Sequence, residues 1–138
     1  MARMCVLGGG LVGRFVASTL HTRGHVVRLV DAESILDVSS EIEVIQSQIN
    51  ASNLVDYVSD VDVVINCLPG RIGHSIRENL VSINGMRVAD LAFTAEDPRS
   101  LDQLAKNSQA TLIYDVGIAP GLSNAILKAA ETEWGTLD

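Results

Sequence analysis

Short apolar runs alternate along the chain with stretches in which apolar residues recur every three or four positions. Apolar runs without polar alternation are typical of strands that are buried on both faces of a parallel sheet. They predict six strands, at residues 4–7, 25–30, within 41–49, 62–68, 86–93 and 110–114.

The stretches between these runs have the spacing of amphipathic helices, so each strand is followed by a helix or a helical turn. The apolar faces predicted for them comprise Val12, Phe15, Val16 and Leu20; Leu54, Val55 and Val58; Ile72, Ile76, Leu80 and Ile83; Leu101, Leu104 and Ala105; Ala125, Ile126 and Ala129. The alternation predicts an α/β Rossmann fold, a doubly wound parallel sheet of order 3-2-1-4-5-6, as a single domain over residues 1–138.

A glycine turn joins the first strand to the first helix and matches the spacing G-x-G-x-x-G. Gly8 permits the tight turn, Gly10 leaves room for a pyrophosphate, and Gly13 lets the helix pack closely on the strand. Leu11 and Val12 open the helix, whose unpaired N–H groups and positive dipole end favour phosphate. The turn therefore predicts a dinucleotide site.

Asp31 ends the second strand, 18 positions after Gly13. A carboxylate there accepts hydrogen bonds from the adenosine ribose and repels a 2′-phosphate. Ala32 and Glu33 follow, with no arginine to pair with that phosphate, so we expect NAD in preference to NADP. The alternative is a solvated carboxylate that caps a helix.

Two further stretches complete the predicted crevice. Asn50 and Ala51 follow the third strand, where the adenine edge is expected. Residues 67–70, Cys67, Leu68, Pro69 and Gly70, end the fourth strand, which restarts beside the first one at the switch point. They are expected near the nicotinamide ribose, although an ordinary strand-to-helix turn would have the same sequence.

Candidates for catalysis are weaker. Arg71 and His74 open the helix that follows. Two readings are open for each residue: Arg71 binds a substrate carboxylate or is solvated, and His74 is a general base or a surface residue. Asp115 ends the last strand near the predicted crevice, where a general base and a carboxylate that caps the next turn are both open readings.

Composition narrows the class of protein. A net charge of −7 argues against nucleic acid and anionic membranes as partners, and 47% hydrophobic residues argue against disorder. Cys5 and Cys67 lie in apolar runs, as expected of buried reduced thiols. Gly24 is expected to end the helix between His21 and His25, so these histidines do not predict a metal site. The N-terminus lacks a secretory pattern, and we expect a cytoplasmic protein.

Four stretches in order resemble the saccharopine dehydrogenase-like oxidoreductases, and among them the lysine dehydrogenase type. They are residues 8–13, 67–70, Asp90-Leu91-Ala92-Phe93 with Glu96-Asp97-Pro98, and 115–124. The last, D-x-G-x-A-P-G-L-S-N, is the most specific. The resemblance implies hydride transfer between a nicotinamide cofactor and a C–N bond of an amino acid, lysine or saccharopine.

The resemblance also implies a second domain, which in the family supplies much of the substrate pocket and the contacts of a homo-oligomer. That domain is absent from the 138 residues, so we expect a cofactor domain cut from a longer protein, inactive alone, with a natural stand-alone domain as the alternative. Two alternatives stay open: a nucleotide-sensing regulatory domain of the potassium-transport type, and the first domain of a different dehydrogenase that acts on a sugar or a polyamine precursor.

Overall fold

The computed structural model describes residues 1–135, which form one parallel sheet of six strands and five α-helices. The strands are β1 (Arg3–Leu7), β2 (Val26–Asp31), β3 (Glu43–Gln46), β4 (Val63–Asn66), β5 (Arg87–Asp90) and β6 (Thr111–Ile113). The helices are α1 (Leu11–Thr22), α2 (Leu54–Val58), α3 (Gly70–Ser82), α4 (Asp102–Ser108) and α5 (Ser123–Trp134).

The sheet has the order β3-β2-β1-β4-β5-β6, and every pair of neighbours is parallel. This confirms the predicted Rossmann fold. The order reverses between β1 and β4, where Leu7 pairs with Asn66. The carboxyl ends of these two strands therefore open a crevice at the switch point.

The core lies on both faces of the sheet. One cluster gathers Cys5, Leu7, Val30, Val64 and Leu80, and the other gathers Val6, Ala17, Val27, Leu29 and Ile65. Alternate residues of β1 thus enter opposite clusters, as the alternation of side chains along a strand requires. This burial explains why the central strands are apolar throughout.

Three of the predicted helix faces were wrong in part, and the exposed residues include Val12 of α1 and Val55 of α2. Phe15 is 71% exposed, because α1 packs on β1 through Gly13 and Ala17, with Val16 and Leu20 beside them. Ile72 of α3 is also exposed, and the buried face of α3 includes Gly73 and Arg77.

Two connections also differ from the prediction. Residues 32–42, between β2 and β3, have no helix, and Ile35 and Ile42 of this loop cover the sheet instead. α5 forms where it was predicted, but its stripe of Ala125, Ile126 and Ala129 is exposed. Within the part of the chain that the structure describes, no helix is long and apolar enough to cross a membrane.

The start of the helical segment after β5 follows the prediction. The side chain of Asp97 accepts a hydrogen bond from the backbone N–H of Arg99, and Pro98 stands in the first turn of a short 3₁₀ helix, Pro98–Leu101, that leads into α4. The side chain of Leu101 is buried. The cap and the fixed φ of proline explain where this helical segment begins.

Candidate cofactor-binding site

The glycine turn after β1 is fixed by contacts that exclude side chains. Gly8 has φ +97°, and a Cβ there would lie 2.8 Å from the carbonyl oxygen of Cys67. A Cβ on Gly13 would lie 1.8 Å from the carbonyl oxygen of Gly8. The first and third glycines of the motif therefore serve the packing of β1, α1 and β4.

Gly10 differs from these two glycines. Its backbone angles, φ −64° and ψ −172°, are open to any residue, and a Cβ on it would meet no atom within 4 Å. The space beside Gly10 is thus open to the crevice. A glycine there keeps the surface flat, as close approach of a pyrophosphate requires.

The start of α1 is free to bind an anion. Among residues 1–135, no side chain caps the helix N-terminus, and its first turn contains no acidic residue. The N–H groups at the start of a helix have no partners within the helix, and they carry a partial positive charge. Two of these N–H groups belong to Leu11 and Val12, whose side chains are exposed. The site thus fits the phosphates of a dinucleotide.

Asp31, the last residue of β2, lies at the rim of the crevice next to the glycine turn. One of its carboxylate oxygens accepts a hydrogen bond from the N–H of Gly9, and the other accepts one from the N–H of Glu33 at 2.8 Å. Asp31 does not cap a helix, because the connection from β2 to β3, residues 32–42, contains none. A Cβ on Gly9 would lie 2.5 Å from Cδ1 of Ile35. Sequence reasoning missed both constraints, since Gly9 is a variable position of the motif.

The end of β3 reaches the same rim. Ser47 donates its N–H to the carbonyl of Asp31 at 2.7 Å, and its hydroxyl accepts a hydrogen bond from Tyr57 at 2.7 Å. The side-chain oxygen of Asn50 accepts hydrogen bonds from Ser52, in a turn that leads to α2. Ala51 is exposed in this turn. Ser47 thus lies next to Asp31, whereas the Asn50 side chain is engaged locally.

The turn at residues 67–70 forms the other half of the crevice. Cys67 donates its N–H to the carbonyl of Leu7 at 2.8 Å, which joins this turn to β1. Leu68 points into the core, Pro69 is exposed, and Gly70 begins α3. A Cβ on Gly70 would lie 1.9 Å from the carbonyl oxygen of Phe93. This half of the crevice is therefore lined by backbone as much as by side chains.

Beneath this turn lies a buried polar network that the sequence did not reveal. Arg77 of α3 and Asp90 of β5 are 2% and 1% exposed, and Nη1 of Arg77 donates to Asp90 at 2.8 Å. Asp90 also accepts hydrogen bonds from the side-chain amide of Asn66, at 2.9 Å, and from the N–H of Ala92, at 3.0 Å. Burial raises the pKa of Asp90 above its usual value, while these donors act in the opposite direction.

His74 belongs to the edge of the same network. Its Nδ1 lies 2.8 Å from Nη2 of Arg77, which also donates to Thr94 at 2.8 Å. A guanidinium has only donors, so Nδ1 of His74 accepts, and Nε2 carries the proton of the neutral ring. Arg71, one turn earlier, is exposed.

Asp115 lies in the loop after β6. It has φ +56°, and a Cβ on Gly121 would lie 2.2 Å from its carbonyl oxygen, which also accepts the N–H of Gly117 at 2.9 Å. Val116 donates its N–H to the carbonyl of Asp90 at 3.2 Å, which brings this loop to the crevice edge. The loop borders a depression of about 620 Å³ that Asp115 helps to line.

With this geometry in view, comparison with known proteins identifies the family. The saccharopine dehydrogenase NADP binding domain family matches residues 4–113. The chain belongs to this family. The match begins within β1, ends with β6 and stops before the pattern at residues 115–124, and the family is one of domains that bind a nicotinamide dinucleotide.

A curated relative resembles the chain in sequence, and two solved structures resemble it in fold. The alpha-aminoadipic semialdehyde synthase of Arabidopsis thaliana is 24% identical over 97 residues, which are 70% of this chain and 9% of the plant protein. A 3-hydroxyisobutyrate dehydrogenase from Mycobacterium tuberculosis shares the fold with a TM-score of 0.61 and 22% identity, over 81% of this chain and 39% of that one. A D-isomer specific 2-hydroxyacid dehydrogenase family protein from Klebsiella pneumoniae has a TM-score of 0.57 and 16% identity, over 80% of this chain and 36% of that one.

Proposed function

We propose that this domain binds NAD for an oxidoreductase that acts on a C–N bond of an amino acid of the lysine or saccharopine type. The observation that carries the proposal is the open, uncapped start of α1 beside Gly10, in a chain whose family binds a nicotinamide dinucleotide. The N–H groups of Leu11 and Val12 would bind the pyrophosphate. When bound, the cofactor supplies a carbon that accepts or donates a hydride.

The preference for NAD is proposed from Asp31. Its carboxylate is held in place by the N–H groups of Gly9 and Glu33, so it cannot easily turn away from a ligand. A 2′-phosphate bound at this rim would lie against a fixed negative charge. The family name specifies NADP, and one guanidinium nitrogen of Arg14 lies 3.5 Å from the carbonyl of Leu36 in the adjoining loop. If NADP binds more tightly, Arg14 is the candidate for the cation that would pair with the 2′-phosphate.

The substrate class is proposed from the family name and from the plant relative, whose name contains an amino-acid semialdehyde. Oxidation next to nitrogen requires that the reacting carbon be aligned with the nicotinamide and that a proton be accepted. Residues 67–70 are proposed to line the nicotinamide side. Asp115, exposed beside the depression after β6, remains the candidate for the proton acceptor.

We further propose that substrate binding needs protein beyond these 138 residues. The chain spans 9% of the curated relative and 36–39% of the two solved structures. In support, α5 has no buried residue in the described chain, and Ile126 and Leu127 are 59% and 60% exposed. The 138-residue chain should therefore bind the cofactor without turning over lysine or saccharopine.

Calorimetry on the 138-residue chain tests the cofactor proposal directly. Titration with NAD, NADH, NADP and NADPH should show saturable binding, with the NAD pair tighter than the NADP pair. Tighter binding of NADP would refute the argument from Asp31, and lack of binding to all four would refute the assigned role. Lysine-dependent NADH formation by the same chain would contradict the need for further protein.

A further inference from the structure

Arg77 and Asp90 form an ion pair in a place where such a pair is costly. Both side chains are almost wholly buried, and Nε of Arg77 is buried without a hydrogen-bond partner. Desolvation of two buried charges often exceeds their mutual attraction, and packed apolar side chains would stabilise the fold as well. Stability alone therefore gives no reason for this pair.

The contacts of the pair supply another reason, because they lead to two loops on one side of the crevice. Asn66, held by Asp90, accepts the N–H of Leu68 at 3.3 Å and donates to the carbonyl of Gly73 at 3.3 Å. On the other side, Arg77 donates to the hydroxyl of Thr94, in the loop after β5. The network thus joins the turn at residues 67–70, the first turn of α3 and the loop at residues 91–94.

We propose that Arg77 is a positioning residue, which through Asp90 and Asn66 sets the turn at residues 67–70, and through Thr94 the loop at residues 91–94, to receive the nicotinamide ring of the cofactor. The inference rests on the proposed function, since it assigns the nicotinamide to this end of the crevice. The glycine turn and Asp31, which would bind the adenosine and the phosphates, make none of these contacts.

Ligands that differ in the nicotinamide test this directly. ADP-ribose contains the adenosine, the pyrophosphate and the second ribose, whereas NADH adds the nicotinamide ring. In an Arg77→Met, Asp90→Leu double variant, apolar side chains replace the pair and keep the core filled. We expect affinity for NADH to fall roughly tenfold and affinity for ADP-ribose to change less than about twofold.

Two single substitutions remove only part of the network. Arg77→Lys keeps a positive charge beside the Asp90 carboxylate, but the single lysine nitrogen cannot also reach Thr94 and His74. This variant should therefore lose an intermediate share of NADH affinity. Thr94→Val keeps the shape of a half-buried side chain and removes one link, with an expected loss of roughly threefold for NADH alone. Arg87→Gln, which alters an exposed arginine of β5, is the control and should leave both affinities unchanged.

The outcomes separate this inference from the function on which it rests. A wild-type chain that binds neither ligand would refute the proposed function, and the positioning role with it. If the wild type binds both ligands, undiminished NADH affinity in the double variant would refute the positioning role alone. An equal loss for both ligands would also refute it, because it would indicate a general structural effect. Should the double variant not fold, Thr94→Val decides by the same comparison of NADH with ADP-ribose.

Discussion

The carbonyl oxygen of Gly8 occupies the place where a side chain on Gly13 would begin, 1.8 Å from the ideal Cβ position. The backbones of β1 and α1 are therefore in contact through two glycines. We expect Gly13→Ala to destabilise the domain by about 1–3 kcal/mol, because the added methyl group must push the helix away from the strand. Urea denaturation followed by circular dichroism measures this loss. Stability equal to that of the wild type would show that the turn can relax.

Gly10→Ala is the matched change at the second glycine, and the opposite result is expected. The backbone angles of Gly10 suit alanine, and the new Cβ would meet no protein atom. Stability should stay within about 0.5 kcal/mol of the wild type. Affinity for NADH should fall roughly tenfold or more, because the methyl group projects into the space proposed for the pyrophosphate. Unchanged affinity in calorimetry would place the phosphates elsewhere.

Asp31→Asn tests the choice of cofactor. The asparagine oxygen still accepts one N–H, while its amide faces the other donor without a bond, so the rim loosens and loses its charge. We expect the preference for NAD over NADP to fall roughly tenfold, as measured by calorimetry with both cofactors. Glu33→Gln removes a neighbouring exposed carboxylate and serves as the control, with a smaller change. An equal change in both variants would indicate a general effect of charge.

The two cysteines should be unreactive in the folded domain. Burial raises the pKa of the Cys5 thiol to about 12 and that of Cys67 to about 11, so the thiolate is scarce at pH 8. Reaction with a disulfide reagent should be slow until urea unfolds the chain, and Cys5→Ala and Cys67→Ala identify which thiol reacts. Rapid modification of Cys67 in the native chain at pH 8 would contradict this expectation.

The same shifts predict a loss of stability in alkali. A folded-state pKa above the usual value of 9.0 means that folding favours the neutral thiol. This contribution is complete below about pH 9 and is lost as the pH rises through 11 to 12, because the unfolded chain ionises first. Cys67→Ala should show a shallower decline in stability above pH 9 than the wild type. Parallel declines would assign the loss to other groups.

The strands could be predicted from sequence because buried parallel strands have continuous apolar runs, as β4 does, and their alternation with helices predicted the strand order. The face of α1 was predicted less well, since apolar spacing selected Phe15, whereas close helix–strand packing selected the small residues Gly13 and Ala17. The periodicity of apolar residues indicates which side of a helix is hydrophobic, but it does not indicate how closely the backbones of the helix and the strand approach. The loop at residues 32–42 escaped prediction for a related reason, because a crossover can cover a sheet without forming a helix.

The buried network shows a further limit of prediction. Asp90 ends an apolar strand and Arg77 lies four residues after the buried Gly73, so both occupy positions that point inward. A charged residue on an inward face is the signal that was available, but its partner comes from another element, 13 residues away. Pairing across elements depends on the three-dimensional structure. The glycine spacing, in contrast, is local and could be interpreted from the sequence alone.

The contact of Gly8 with the carbonyl of Cys67 has a consequence for how such a domain can diversify. The glycine turn and the turn at residues 67–70 meet through main-chain atoms, so the width of the crevice at its centre does not depend on side chains there. Substitutions in the surrounding loops can then alter which molecule meets the cofactor without displacing the cofactor itself. A lineage built on this domain can change its chemistry at the periphery while its central geometry is inherited intact.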